Sequence, residues 1–103
     1  MIKVKVSIYG KSELRLTSEE VLLNENSTIY DLLDKLIRIY GIHKESYSAI
    51  HNKKVSSFTG MILVKNGQRI GYFDEFGLKI DSDSYTTLRD GDKIIILFPV
   101  AGG

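Results

Sequence analysis

Lys93-Ile94-Ile95-Ile96-Leu97-Phe98-Pro99-Val100-Ala101-Gly102-Gly103 is the stretch on which the reading of this 103-residue sequence turns. Its first part is the most apolar run of the chain, and it is apolar in both phases of a two-residue repeat. Ile94, Ile96 and Phe98 alternate with Ile95 and Leu97. Successive side chains of a strand point to opposite faces of the sheet. A strand apolar on both faces is therefore expected at the centre of a sheet, with neighbours on either side. The only proline of the chain, Pro99, stands at the exit, and two glycines follow at 102 and 103. This pattern predicts a body at 1–98 and an extended tail at 99–103, presented to a partner instead of frayed and idle.

Working outward, Leu88-Arg89-Asp90-Gly91-Asp92 reads as the turn that leads into this strand. At the other end of the chain, residues 2–9 alternate strictly. Ile2, Val4, Val6 and Ile8 share one face; Lys3, Lys5, Ser7 and Tyr9 share the other. That is a half-buried strand. Gly10-Lys11-Ser12 reads as a turn. A second strand follows through 14–23, interrupted near Thr17-Ser18, and the two form an antiparallel hairpin. Asn26-Ser27-Thr28 then offers helix caps, and Thr28 with Asp31 has capping-box spacing, with Asp in place of Glu. Ile29, Leu32, Leu33, Leu36, Ile37 and Tyr40 fall on one helical stripe, and Gly41 reads as a C-terminal glycine. The helix is placed at 28–40.

Residues 42–60 read as a loop with one short helical turn near 44–51. Residues 61–65 read as a strand closed by Asn66-Gly67, a strong hairpin signal. Residues 68–84 read as a short strand plus an excursion. One helix can cover only one face of a sheet. The fold class expected is thus α+β, with a mixed sheet of four or five strands packed on one helix. The far face, carrying Ile95 and Leu97, either offers an apolar docking surface beside the tail or is covered by 42–60 or 68–84.

Composition sets bounds on partners. The apolar fraction is 43% and the charged fraction 26%, ordinary for a soluble domain. Fourteen basic and thirteen acidic residues leave a net charge of +1, with no dense basic block, so nucleic acid is not expected as the main partner. The alternating start is not a secretory signal, and no apolar stretch approaches the roughly 18 residues that span a bilayer. The chain has no cysteine, which excludes disulfides and is compatible with the cytoplasm, the expected location.

Internal catalytic constellations are weak. His43 and His51 lack well-spaced partners, so exposed loop positions are expected and metal is not. Asp81-Ser82-Asp83 with Asp92 fails as a calcium loop, because Tyr85 and Thr86 occupy positions that need a ligand and a glycine. Gly71-Tyr72-Phe73-Asp74-Glu75-Phe76-Gly77 reads either as a partner-contacting loop or as aromatics packed over the core.

The chemistry therefore points to the tail. A terminal carboxylate on Gly103 is inert until one oxygen becomes a leaving group, as in a mixed anhydride with a nucleotide phosphate. Glycine has no Cβ, so a narrow slot can close on Gly102 and Gly103. Five extended residues reach about 17 Å at about 3.4 Å each, enough to enter another protein's active site.

These features resemble the ubiquitin-like β-grasp sulfur carriers of the small molybdopterin synthase subunit (MoaD) and ThiS type. The likeness rests on Ser27-Thr28-Ile29-Tyr30-Asp31-Leu32-Leu33, on Asn66-Gly67, and on the ending from Leu88 to Gly103. Phe98 stands where the family usually has a first proline, and 68–84 is longer than is common. The resemblance implies adenylation of Gly103 by an E1-like adenylyltransferase of the MoeB or ThiF type, using MgATP. It then implies a thiocarboxylate that gives its sulfur to a pterin precursor within the large, MoaE-type synthase subunit. The product is the dithiolene that binds molybdenum or tungsten. The chain itself is expected to hold no cofactor and no metal. Gly102, Ala101, Val100, Pro99, Phe98, Leu97 and Ile95 are the expected partner contacts. A protein modifier joined to lysines, and a carrier for thiamin or tRNA thiolation, share the same activation. The Pro99-Val100 pair favours the molybdopterin branch.

Overall fold

The alternation at the start of the chain produces a strand with its apolar side chains on one face. In the computed structural model, which describes residues 1–10, 15–40, 47–48, 53–54, 58–74 and 76–98, β1 (Ile2–Tyr9) buries Ile2, Val4, Val6 and Ile8. Lys3, Lys5 and Tyr9 on its other face are exposed. β1 pairs antiparallel with β2 (Arg15–Leu23), as a hairpin requires. The interruption at Thr17-Ser18 is a bulge. Two residues of β2 lie opposite Ser7, and Ser18 adopts a positive φ of 47°. The Ser18 N–H donates to Ser7 Oγ at 2.9 Å, which explains why a serine sits buried in this row. The turn expected at Gly10-Lys11-Ser12 lies largely outside the described residues.

α1 (Ile29–Tyr40) starts with the expected box. The Asp31 N–H donates to Thr28 Oγ1 at 3.3 Å, and the Thr28 N–H donates to Asp31 Oδ2 at 2.8 Å. Each bond occupies a backbone donor that has no partner within the helix. Ile29, Leu32, Leu33 and Leu36 are buried and join the side chains from β1 in one core. Gly41 lies outside the described residues.

Tyr47–Ser48 (β3) and Lys53–Lys54 (β4) form a small antiparallel ladder of their own. Tyr47–Ser48 is extended where one short helical turn near 44–51 is expected, and the other residues of that span lie outside the described ones. Cross-strand pairing with Lys53–Lys54 supplies the hydrogen bonds that a helical turn would have supplied. The rest of 42–57 lies outside the described residues. Phe58 is buried against Phe73, with ring centroids 5.1 Å apart.

β5 (Ile62–Lys65) and β6 (Gln68–Asp74) are joined by Asn66-Gly67, both with positive φ (51° and 84°), as a tight hairpin turn needs. Residues 68–84 are not an excursion. After β6 the chain doubles back as β7 (Gly77–Ile80), antiparallel to β6, and then makes a 3-10 turn at Asp83–Tyr85. The signal is Gly71: a Cβ there would lie 2.5 Å from the Lys79 carbonyl oxygen, so only glycine lets β7 come this close.

β8 (Lys93–Leu97) closes the sheet. It runs parallel to β1 and antiparallel to β5. The order is β2-β1-β8-β5-β6-β7, six strands instead of the four or five expected, because 68–84 contributes two. The result is an α+β fold with one helix on one face of a mixed sheet.

A polar knot locks β8 in register. The buried Asp92 carboxylate accepts from the Arg89 N–H at 2.8 Å and from Asn66 Nδ2 at 2.9 Å, and Asn66 Oδ1 accepts from the Lys93 N–H at 2.8 Å. Both Asp92 oxygens must accept. In Asp92→Asn one of them becomes an NH2 group that faces a donor, and Asn66 cannot flip without losing Lys93. This variant is expected to lose about 1–3 kcal/mol, read as a lower urea midpoint with an unchanged m-value.

Candidate functional site

The sequence-predicted site splits into two parts. Pro99, Val100, Ala101, Gly102 and Gly103 lie outside the described residues. Ile95, Leu97 and Phe98 are described, and the two-residue repeat of β8 sends them to different sides.

Ile94 and Ile96 are buried on the helix side. Phe98, in phase with them, also turns to that side and packs against the core. A Cβ on Gly60 would sit 3.2 Å from its ring, so Gly60 leaves the space the ring occupies. The Phe98 N–H donates to the Tyr9 carbonyl at 3.3 Å. Phe98 is thus anchored at the end of β8. It is not on the same surface as Ile95 and Leu97.

Ile95 and Leu97 face away from α1 and are half-buried. Register builds a surface around them. Tyr9, Leu97, Ile62 and Tyr72 lie side by side across β1, β8, β5 and β6. In the neighbouring row Ser7, Ile95 and Val64 do the same. Ile62 and Val64 are half-buried, while Tyr9 and Tyr72 are each 41% exposed. This is an apolar band across the open face of the sheet, and it reaches the end of β8 at Leu97. The Arg15 guanidinium lies 5.7 Å from the centre of the Tyr9 ring, and Arg69 lies 5.8 Å from that of Tyr72. Of the two segments expected as possible covers, 68–84 extends the sheet and does not fold over Ile95 and Leu97; most of 42–60 lies outside the described residues.

The aromatic segment at 71–77 divides between its two readings. Phe73 belongs to the core. Phe76 is 79% exposed at the β6–β7 turn, where its N–H donates to Asp74 Oδ1 at 2.7 Å. That turn lies at the same end of the sheet as Phe98, because Tyr72 is level with Ile62 and Leu97. Sequence reading missed Ile62, Val64 and Tyr72 as members of this surface. Only the register across β8, β5 and β6 places them there.

Other chemistry is sparse. Among the described residues no three His, Asp or Glu side chains gather as metal ligands, and His43 and His51 lie outside those residues. Asp83 opens the 3-10 turn, and the Ser82 hydroxyl that caps it accepts from the Ser84 N–H at 3.4 Å. A groove lined by Met1, Asn24, Asp31, Lys35, Arg38 and others lies at the opposite end of β1 from the exit at Phe98. Among the described residues no helix is long and apolar enough to cross a membrane. Comparison of the chain with models of known protein families and with curated proteins finds no match.

The two faces of β8 predict different costs for neighbouring truncations. Ile96→Ala empties a fully buried position and is expected to cost about 2–5 kcal/mol. Leu97→Ala removes a half-exposed side chain and is expected to cost about 1 kcal/mol. Urea denaturation of the two variants measures the gap, and equal losses would place Leu97 in the core.

Proposed function

We propose that this chain is a sulfur carrier of the ubiquitin-like β-grasp type, serving as the small subunit of a molybdopterin synthase. The observation that carries the reading is the setting of β8. A mixed sheet on one helix is compatible with a β-grasp. Its central strand ends at an anchored Phe98, directly before Pro-Val-Ala-Gly-Gly. A body held firmly up to residue 98 can deliver residues 99–103 into a partner while staying outside it.

The proposed chemistry takes place at Gly103. Its carboxylate attacks the α-phosphate of MgATP in an E1-like adenylyltransferase, forming an acyl adenylate and releasing pyrophosphate. The terminal sulfur of a persulfide then attacks the acyl carbon. The C–O bond breaks and AMP leaves with its electron pair. A second thiolate cleaves the S–S bond of the acyl disulfide, leaving a disulfide and the Gly103 thiocarboxylate. In the large synthase subunit that sulfur passes to the pterin precursor. Every acid, base and cofactor in this sequence belongs to a partner; this chain supplies the acyl carbon and its placement. Gly102 and Gly103 admit a narrow slot, and Pro99 restricts the backbone as the chain leaves the body.

The test is intact mass after incubation with an E1-like adenylyltransferase, MgATP and a persulfide donor. The mass is expected to rise by the difference between a sulfur and an oxygen atom, localised to Gly103. An unchanged mass overturns the proposal. A chain with one alanine added after Gly103 is expected to fold as before and to take up no sulfur. Conjugates of high molecular weight that need Gly102-Gly103 would favour a protein modifier instead. Efficient loading without dithiolene formation on the large subunit would move the carrier to another branch.

A further inference from the structure

Charge is unevenly divided between the two sides of the sheet. The alternation of β1, β2, β6, β7 and β8 brings Lys3, Lys5, Arg15, Arg69, Lys79 and Lys93 to the open face, all of them exposed. The carboxylates that register places there are Glu20, opposite Lys5, and Asp74, which is engaged by the Phe76 N–H. Among the described strand residues that is six cations and two carboxylates, and the exposed Asp90 carboxylate, which accepts from the Lys3 N–H at 2.7 Å, adds a third at the Lys3 end. The cations border the apolar band on every side but the one at Phe98, with Lys5 and Lys93 side by side at the far end and Arg69 and Lys79 next to Tyr72.

Two kinds of macromolecule could meet a basic face that carries exposed aromatics. A single-stranded nucleic acid stacks its bases on ring faces. Here Tyr9 and Tyr72 stand three strand spacings apart, about 14 Å, too far to stack successive bases, and a guanidinium lies over one face of each. The centre of the face is aliphatic, formed by Ile95, Leu97, Ile62 and Val64. An aliphatic centre with a charged rim is the anatomy of a protein contact. We infer that the open face docks a protein surface with an apolar centre and an acidic rim, located at the mouth of the slot that takes residues 99–103. This inference rests on the proposed carrier function and identifies the chemistry of the partner's surface. The rim charges act mainly on encounter, so their effect falls with ionic strength.

The experiment is steady-state loading by an E1-like adenylyltransferase with MgATP and a persulfide donor, using the intact chain. The double variant Arg69→Glu/Lys93→Glu is expected to raise KM for the carrier about 10-fold or more at low salt, with kcat unchanged. The gap is expected to narrow as salt is added. Arg38→Glu, which reverses a cation on the helix side, is expected to leave KM unchanged. Thermal melts establish that each variant is folded. Carbodiimide coupling of the mixed proteins is expected to join the enzyme's carboxylates to Lys5, Lys79 or Lys93.

If the wild-type chain loads and the double variant loads with the same KM, the inference falls and the carrier function stands. Coupling mainly through Lys35 or Lys65 overturns it as well. Competition of loading by polyuridylate, with amide shifts at Tyr9 and Tyr72, would assign the face to nucleic acid and overturn it. Failure of the wild-type chain either to load or to couple overturns the inference together with the function.

Discussion

β8 is the strand that makes the described sheet a single object. On one side it hydrogen-bonds to β1, and through β1 to β2. On the other it bonds to β5, and through β5 to β6 and β7. Without it the sheet falls into a two-stranded hairpin and a three-stranded meander, and neither encloses a core. Its burial supplies the matching energetic constraint. Ile94 and Ile96 are almost wholly removed from water and meet the side chains of α1, β1 and β5 in the same cluster. Fully burying two side chains of this kind contributes on the order of 3–6 kcal/mol, a large share of the net stability of any small domain. The parallel pairing of β1 with β8 joins segments from opposite ends of the sequence, so the entropy of closing that loop must be met before the contact stabilises anything.

The approach to β8 is correspondingly well fixed. The Leu88 N–H donates to Ser27, the Ile29 N–H to Thr86, the Gly91 N–H to Lys3 and the Lys5 N–H to Asp92. Together with the Asp92 carboxylate and Asn66, these bonds tie the start of the helix, the start of β1 and the β5–β6 turn to one short segment. At its far end β8 is steadied by the Phe98 ring over Gly60 and by the bond to Tyr9. A strand held at both ends keeps a fixed position relative to the core. The apolar band is built on that same strand, so Ile95 and Leu97 keep a fixed distance from Phe98.

Alternation made most of this legible before any coordinates. The strict repeat in β1, the helical stripe with its Thr28–Asp31 box, the Asn66-Gly67 turn and the central position of a doubly apolar strand all follow from local patterns with one physical reading each. The failures have a common cause. In 68–84 the aromatics are separated by glycines, and the pattern reads as irregular because a bulge at Ile70 shifts the register of β6 against β5. The need for glycine at 71 is set by β7, which no local pattern shows. The side to which Phe98 turns follows from its phase with Ile94 and Ile96, and that phase was visible. Phe98, Leu97 and Ile95 are expected together as partner contacts, and the same phase puts Phe98 on the opposite side of the strand from the other two. The tail, where the proposed chemistry lies, is read from composition and terminal spacing alone and lies outside the described residues.

An apolar band on an open sheet invites association with itself, and the surrounding charge opposes that. Two copies meeting face to face would bring Lys5, Lys93, Arg69 and their neighbours against the same set, and like charges set across an interface cost several kcal/mol. The edges are guarded by other means. β2 carries a bulge and a polar run at Thr17-Ser18-Glu19-Glu20, and β7 is only four residues long with Lys79 at its middle. Self-repulsion and attraction to an acidic rim are the same electrostatic term with opposite sign. On the proposed reading, a face built this way would oppose its own copies and admit a complementary partner without any change of shape. The aliphatic centre would then supply the contact energy once the rim has selected what comes close.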